Sequence, residues 1–205
     1  KGMTVEYLLN RSFKVQNSHR VLFHAAAGGV GLIAGQWLKY IGAESIGTVG
    51  SDDKIKLAKD AGYNHVINYN KSNFVEEVAR ITGGIGVDVA YDSVGQATYP
   101  HTLSCLKKFG LFVSFGQSSG IIKDVAMGDL AKNGSLYAQR PTLFDFISSK
   151  ESLQQVSDNM FKMLADGHVK MYINQRYALK DVPLAFEALM GRKTTGTTVF
   201  DVGRS

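Results

Sequence analysis

From residue 21 onward, short unbroken apolar runs alternate with segments whose apolar positions recur every three to four residues. The first pattern suits a strand buried on both faces, and the second suits a helix laid against it. Residues 21–23 read as a strand and 30–41 as a helix closed by Gly42; 45–49 read as a strand and 52–61 as a helix stopped by Gly62. Residues 65–69 make a third strand. Asn73 and Glu76, spaced as a capping pair, open a helix that runs to 81. A strand at 87–91, a helix around 98–107 and a strand at 111–115 complete five alternations.

Five strand-to-helix alternations predict an α/β fold with a doubly wound parallel sheet of the Rossmann type. Right-handed crossovers then place any ligand at the carboxyl ends of the strands. Beyond residue 115 the texture changes. A polar turn at 117–120 precedes a strand at 134–138 and a mostly helical stretch at 142–167, with Ser148 and Glu151 spaced as a capping box. The tail reads as strand 171–177, helix 181–190 and strand 197–202. It is too small for an independent domain.

Composition narrows the classes. The 205 residues are 44% hydrophobic, enough to bury a real core, and no apolar run approaches the roughly 20 residues of a membrane helix. The start of the chain lacks the layout of a signal peptide, so a cytoplasmic location is expected. That start is not a methionine, which leaves room for a longer protein. A single cysteine, Cys105, rules out an internal disulfide or a thiolate zinc cluster within this stretch, and five scattered histidines offer no metal-ligand spacing, so no metal is expected. The formal charge of +5 comes from dispersed Lys and Arg rather than from a basic block with interleaved aromatics. That argues against nucleic acid and is compatible with an anionic cofactor.

The candidate chemistry begins directly after the first strand, at Ala25-Ala26-Ala27-Gly28-Gly29-Val30-Gly31. This is a variant of G-x-G-x-x-G with Ala26, Gly28 and Gly31 in the three positions: a tight turn, room for a pyrophosphate, and close helix–strand approach. A helix starting near Val30 would turn its unpaired N–H groups toward the phosphates. At the end of the second strand, where an NAD site carries an acid, the chain has Thr48-Val49-Gly50-Ser51. Asp52 and Asp53 follow at a helix start, where carboxylates are ordinary. Lys54 is either a solvated helix lysine or a partner for a 2′-phosphate. With Gly50 it favours NADP(H). The strand ends at Asp92-Ser93-Val94-Gly95 and Phe115-Gly116-Gln117-Ser118 either line a cofactor or are simply turns. No nucleophile elbow surrounds Ser93.

Four stretches, Phe23 to Gly31, Ile46-Gly47-Thr48-Val49-Gly50, Val66-Ile67-Asn68-Tyr69 and Val113-Ser114-Phe115-Gly116, closely resemble quinone oxidoreductases of the zeta-crystallin-like branch of the medium-chain dehydrogenase/reductase superfamily. The likeness runs from Lys1 to about Val202. It implies that residues 1–143 are an NADP-binding domain with a leading helix. Residues 144–205 would be a segment returning to a GroES-like barrel domain that precedes Lys1 in the family. It further implies that Gly29 and Val30 meet the pyrophosphate, that Ser51, Lys54, Tyr69 and Arg192 surround the 2′-phosphate, and that Tyr7, Phe115 to Ser118 and Pro141-Thr142-Leu143 lie along the nicotinamide. The implied activity is zinc-independent transfer of reducing equivalents from NADPH to a quinone or enone, with no catalytic side chain assigned. The competing expectation is an NADPH-binding, dimerising module without turnover, crystallin-like or RNA-associated. A methyltransferase would want an acid where Gly50 stands. An apolar edge strand at 111–115 or 135–138, if exposed, together with the resemblance, points to a homodimer.

Overall fold

A computed structural model describes residues 1–191 and 193–203. Helix α1 (Gly2–Tyr7) passes into one wide turn, Leu8–Ser12, and leads to the central strand β1 (Arg20–Phe23). There follow α2 (Gly29–Ile41), β2 (Glu44–Val49), α3 (Asp53–Asp60), β3 (His65–Asn68), α4 (Phe74–Thr82), β4 (Val87–Asp92), α5 (Tyr99–Leu103) and β5 (Leu106–Ser114). Then come α6 (Met127–Lys132), β6 (Tyr137–Gln139), α7 (Leu143–Phe146) and α8 (Lys150–Ala165). The tail is β7 (Ile173–Ala178), α9 (Val182–Met190) and β8 (Thr197–Asp201).

Six strands form one parallel sheet in the order β3-β2-β1-β4-β5-β6. This is the doubly wound Rossmann order that the alternation predicts, and its switch point lies between β1 and β4. Side chains alternate across the sheet, so neighbouring residues serve opposite layers. Phe23, Tyr91 and Val113 pack with α1, α2 and α8, whereas Leu22, Ala90 and Phe112 pack with α4, α5 and α6. Helix α8 buries Val156, Met160 and Met163 in the first layer. Buried Glu6 of α1 accepts from Arg11 at 2.9 Å and from Asn159 of α8 at 2.8 Å.

Several expectations shift. The expected helix at 98–107 is only α5, because Leu106 extends to pair with Val87 and Lys107 joins Asp88 in an ion pair. Within β5, Phe109 takes φ +62° while two-thirds exposed. The expected strand at 134–138 starts late, since Gly134 and Ser135 hold positive φ at the close of α6, a helix the apolar pattern does not reveal. The capping box of α8 is one residue along, with Ser149 accepting from Ser152 N–H and Ser152 reaching back. The pair at Asn73 does form, its side chain accepting from Val75 N–H. Residues 111–115 are interior, so β6 is the apolar edge.

The tail is a second, two-stranded parallel sheet of β7 and β8. Among the bonds that tie it to the main unit are Lys170 N–H to the Gln36 side chain at 2.8 Å and Gly196 N–H to the Ala27 carbonyl at 3.2 Å.

Candidate functional site

The carboxyl ends of β1, β2, β4 and β5 converge on the glycine turn. Ala25 adopts φ +56°, a left-handed conformation unusual for a residue with a Cβ, and turns the chain sharply out of β1. Gly28 N–H closes on the Ala25 carbonyl at 2.9 Å, and Ala26 N–H is tied to the Thr48 carbonyl of β2 at 2.9 Å. Helix α2 begins at Gly29, with extended Gly28 as its N-cap and Leu32 N–H making the first intrahelical bond to Gly28. Helix geometry therefore turns the Gly29, Val30 and Gly31 N–H groups outward.

The glycines fit a diphosphate cradle. A Cβ on Gly31 would lie 2.4 Å from the Ala25 carbonyl oxygen, so only glycine lets α2 approach β1 this closely. At Gly28 the added atom would meet only the Ala25 carbonyl, at 3.1 Å, leaving bare backbone on the open side.

Beneath the turn lies a network the motif does not announce. His24, fully buried, bonds Thr48 Oγ1 through Nδ1 at 2.8 Å and Thr102 Oγ1 through Nε2 at 2.9 Å. The Thr102 hydroxyl gives its own proton to the Thr98 carbonyl, so it accepts from His24 Nε2–H, and Nδ1 accepts from Thr48. Thr98 Oγ1 in turn donates to Asp92 Oδ2 at 2.6 Å, and Asp92 Oδ1 receives the N–H groups of Val94 and Gly95. One chain of bonds thus fixes the ends of β1, β2 and β4 together. Burial lowers the His24 pKa and outweighs the opposing pull of Asp92, keeping the ring neutral.

At the end of β2, the Tyr69 hydroxyl stands over Gly50, where a Cβ would lie 2.6 Å from it. Ser51 accepts from Lys54 N–H at 3.3 Å, and Asn70 Nδ2 donates to the Gly50 carbonyl at 2.6 Å. The structure therefore gathers Gly50, Ser51, Lys54 and Tyr69, and adds Asn70, which the sequence reading passes over. Asp52 is turned away: it pairs with Lys71 and receives Asn68 Nδ2 at 2.7 Å, and these two hydrogen bonds lower its pKa. Arg192 lies outside the described residues.

On the other side of the switch point, two loops are knitted together. Phe115 N–H bonds Asp92 O at 2.8 Å, Ser118 N–H bonds Ser93 O at 3.1 Å, and a Cβ on Gly116 would meet Ser93 O at 2.8 Å. This brings Ser93, Phe115, Gly116, Gln117 and Ser118 into one rim. Pro141 is buried, Thr142 occupies the N-cap position of α7 and Leu143 packs on the core. Tyr7 is not open to this rim: its ring stacks on Phe146 at 4.7 Å and is 2% exposed. Burial raises its pKa, with nearby Arg140 opposing. Arg140 is a cation that sequence periodicity gave no reason to single out.

Past Gly116 and Gln117 a cavity of about 360 Å³ opens, also lined by Tyr99, Phe112, Ile121 and Arg140. Among the described residues, the Tyr99 hydroxyl is the one buried side-chain polar atom without a hydrogen-bond partner. No group of three or more His, Cys, Asp or Glu that could hold a metal occurs among the described residues.

The zinc-binding dehydrogenase family model matches residues 29–164. Over 201 residues the chain is 50% identical to a quinone oxidoreductase of Salmonella typhimurium, covering 97% of this chain and 62% of that protein. It is 38% identical to a 2-haloacrylate reductase of a Burkholderia species, covering 97% and 60%. The solved structure of Escherichia coli quinone oxidoreductase complexed with NADPH superposes with a TM-score of 0.95 at 45% identity, covering 98% of this chain and 62% of that one. The chain thus spans about 62% of the length of the quinone oxidoreductases it matches.

Proposed function

The chain belongs to the zinc-binding dehydrogenase family, and on that premise we propose that it is the NADP(H)-binding part of a quinone reductase. The observation that carries the cofactor choice is the end of β2. Gly50 stands where an acid would bind a ribose hydroxyl, the Tyr69 hydroxyl fills the space of its missing side chain, and nearby Asp52 is occupied by Lys71 and Asn68. A 2′-phosphate meets no carboxylate from Gly50 itself, and Ser51, Lys54 and Tyr69, with Arg192 from the tail, are the residues assigned to grip it.

In this reading Gly28, Gly29 and Val30 hold the diphosphate through backbone N–H groups and the positive end of α2. Ser93, Phe115 to Ser118 and Pro141 to Leu143 flank the nicotinamide, with Tyr7 behind them as support. Reduced nicotinamide supplies a hydride when bound. The protein contributes orientation and exclusion of water, and no side chain is assigned as acid or base. The acceptor is a quinone or related enone, in keeping with the relatives named quinone oxidoreductase and 2-haloacrylate reductase.

Residues 144–205 are read as a segment returning to a further domain of the protein. Exposed Leu184, Phe186 and Met190 of α9 support that reading, since each would gain by being covered. A homodimer formed through the β6 edge is supported by exposed Tyr137, with exposed Ile121 and Val125 lining the cavity beside that strand. No helix among the described residues is long and apolar enough to cross a membrane.

Titration calorimetry tests the cofactor. NADPH is expected to bind better than NADH by roughly 10 to 100-fold, about 1.4 to 2.7 kcal/mol, and Lys54→Ala to erode that preference while sparing NADH. Equal affinities would overturn the assignment.

A further inference from the structure

A diphosphate bridge carries two negative charges, while the glycine turn meets it with neutral N–H groups and the partial charge of a helix end. The cation standing over that turn is Lys1. A Cβ built on Gly29 would lie 2.7 Å from Lys1 Nζ, so the ammonium sits directly above the first residue of α2. It is steered there: Nζ donates to the Gly196 carbonyl at 3.4 Å.

Gly196 reaches the turn because the tail crosses it. Its backbone forms a parallel bridge with Gly28, and its carbonyl oxygen would be 2.6 Å from a Cβ on Gly29. At φ +59°, with the Tyr172 carbonyl 2.7 Å from any added Cβ, position 196 admits glycine and little else. Three remote segments therefore meet at one point: the start of α1, the start of α2 and the approach to β8.

We propose that Lys1 is the cation that pairs with the diphosphate of the bound dinucleotide, oriented by the carbonyl of Gly196. This rests on the dinucleotide reading of the glycine turn and deepens it. Lys1 and Lys54 then have different jobs. Lys54 lies at the 2′-phosphate end and distinguishes the two dinucleotides, whereas Lys1 faces a group both of them carry and raises affinity without choosing. Partial burial lowers the Lys1 pKa in the absence of ligand, a penalty an adjacent anion relieves.

The test is titration calorimetry on the full chain with NADPH, NADH and 2′-AMP, comparing wild type with Lys1→Met, Lys1→Arg and Lys54→Ala. Lys1→Met is expected to weaken NADPH and NADH by the same factor, roughly 10-fold, and to leave 2′-AMP, which has no diphosphate, unchanged. Lys1→Arg should stay within roughly 3-fold of wild type, because the charge is kept. Lys54→Ala should weaken NADPH and 2′-AMP but not NADH. Lys1 is exposed as a residue although its ammonium is partly covered, so the ligand-free melting temperature should move little. Unchanged affinity of Lys1→Met for both dinucleotides, or loss confined to NADPH, overturns the proposal. If wild type binds neither dinucleotide, the cofactor reading itself fails, which no Lys1 variant could produce.

Discussion

The six-stranded unit and the tail beyond Lys170 use the same grammar, parallel strands joined by a helix, and end in opposite states. Every residue of β4 is buried, between helices on both faces. No residue of β7 or β8 is fully buried, and α9 leaves Leu184, Phe186, Leu189 and Met190 more than half exposed. The difference is one of closure. A parallel pair with one helix covers a single face, whereas six strands with helices on both sides leave no large apolar face open. The tail is held by hydrogen bonds at Lys170 and Gly196 where the main unit is held by a core.

That contrast breaks first under truncation. Leu22→Ala, at a site with no exposure, is expected to cost about 2–5 kcal/mol in urea unfolding, while Phe186→Ser, at 57% exposure, should change this chain's stability by less than about 0.5 kcal/mol. Comparable losses would mean that the tail shares the core's cooperativity. In a form of the chain extended to the length of its relatives, a larger loss at Phe186 would sharpen the contrast by showing what covers it.

A second test uses acid. His24 is neutral in the folded chain with its pKa lowered by burial, so below about pH 6.5 the unfolded state takes up a proton that the folded state refuses. Stability contributed by the neutral ring is therefore full above that pH and falls as the solution is acidified. From pH 7.5 to 5.5 the loss through this one group is at most about 1.4 kcal/mol, the limit set by an unfolded histidine near 6.5. His24→Gln should shed that share of the slope in global unfolding, while amide exchange across β7 and β8 should not respond to the substitution. If the slope is the same in the variant, His24 is not what acid attacks.

The smallest effect lies at Phe109, where a left-handed conformation and two-thirds exposure combine strain with little compensating burial. Phe109→Gly is expected to stabilise the main unit by about 0.5–1 kcal/mol in thermal unfolding. A loss instead would show that the ring makes contacts that outweigh the strain.

The sheet and the glycine turn were legible because both are local. Apolar runs mark strands buried on both faces, and small residues at fixed spacing between a strand and a helix have few other uses. Elements whose shape is set elsewhere were not legible. Helix α6 buries one side chain, Leu130, too little to leave a period, and α5 stops short because β5 is recruited by Val87. At the site, Gly50 could be read as a missing acid, but that Asp52 is bound to Lys71 is visible only once β2 and β3 are paired. Lys1 had no signal at all, since its partner lies 195 residues away. Arg140 acquires meaning only because the fold sets it beside Tyr7.

The phenol over Gly50 also constrains the history open to this site. An acid arriving at position 50 by a single change would bring a side chain into the space of the Tyr69 hydroxyl, 2.6 Å from its first carbon. The ring must shrink or swing away before the carboxylate can serve a ribose. Positions 50 and 69 are thus coupled: a side chain at position 50 requires Tyr69 to move or to be replaced, so a change at one is felt at the other.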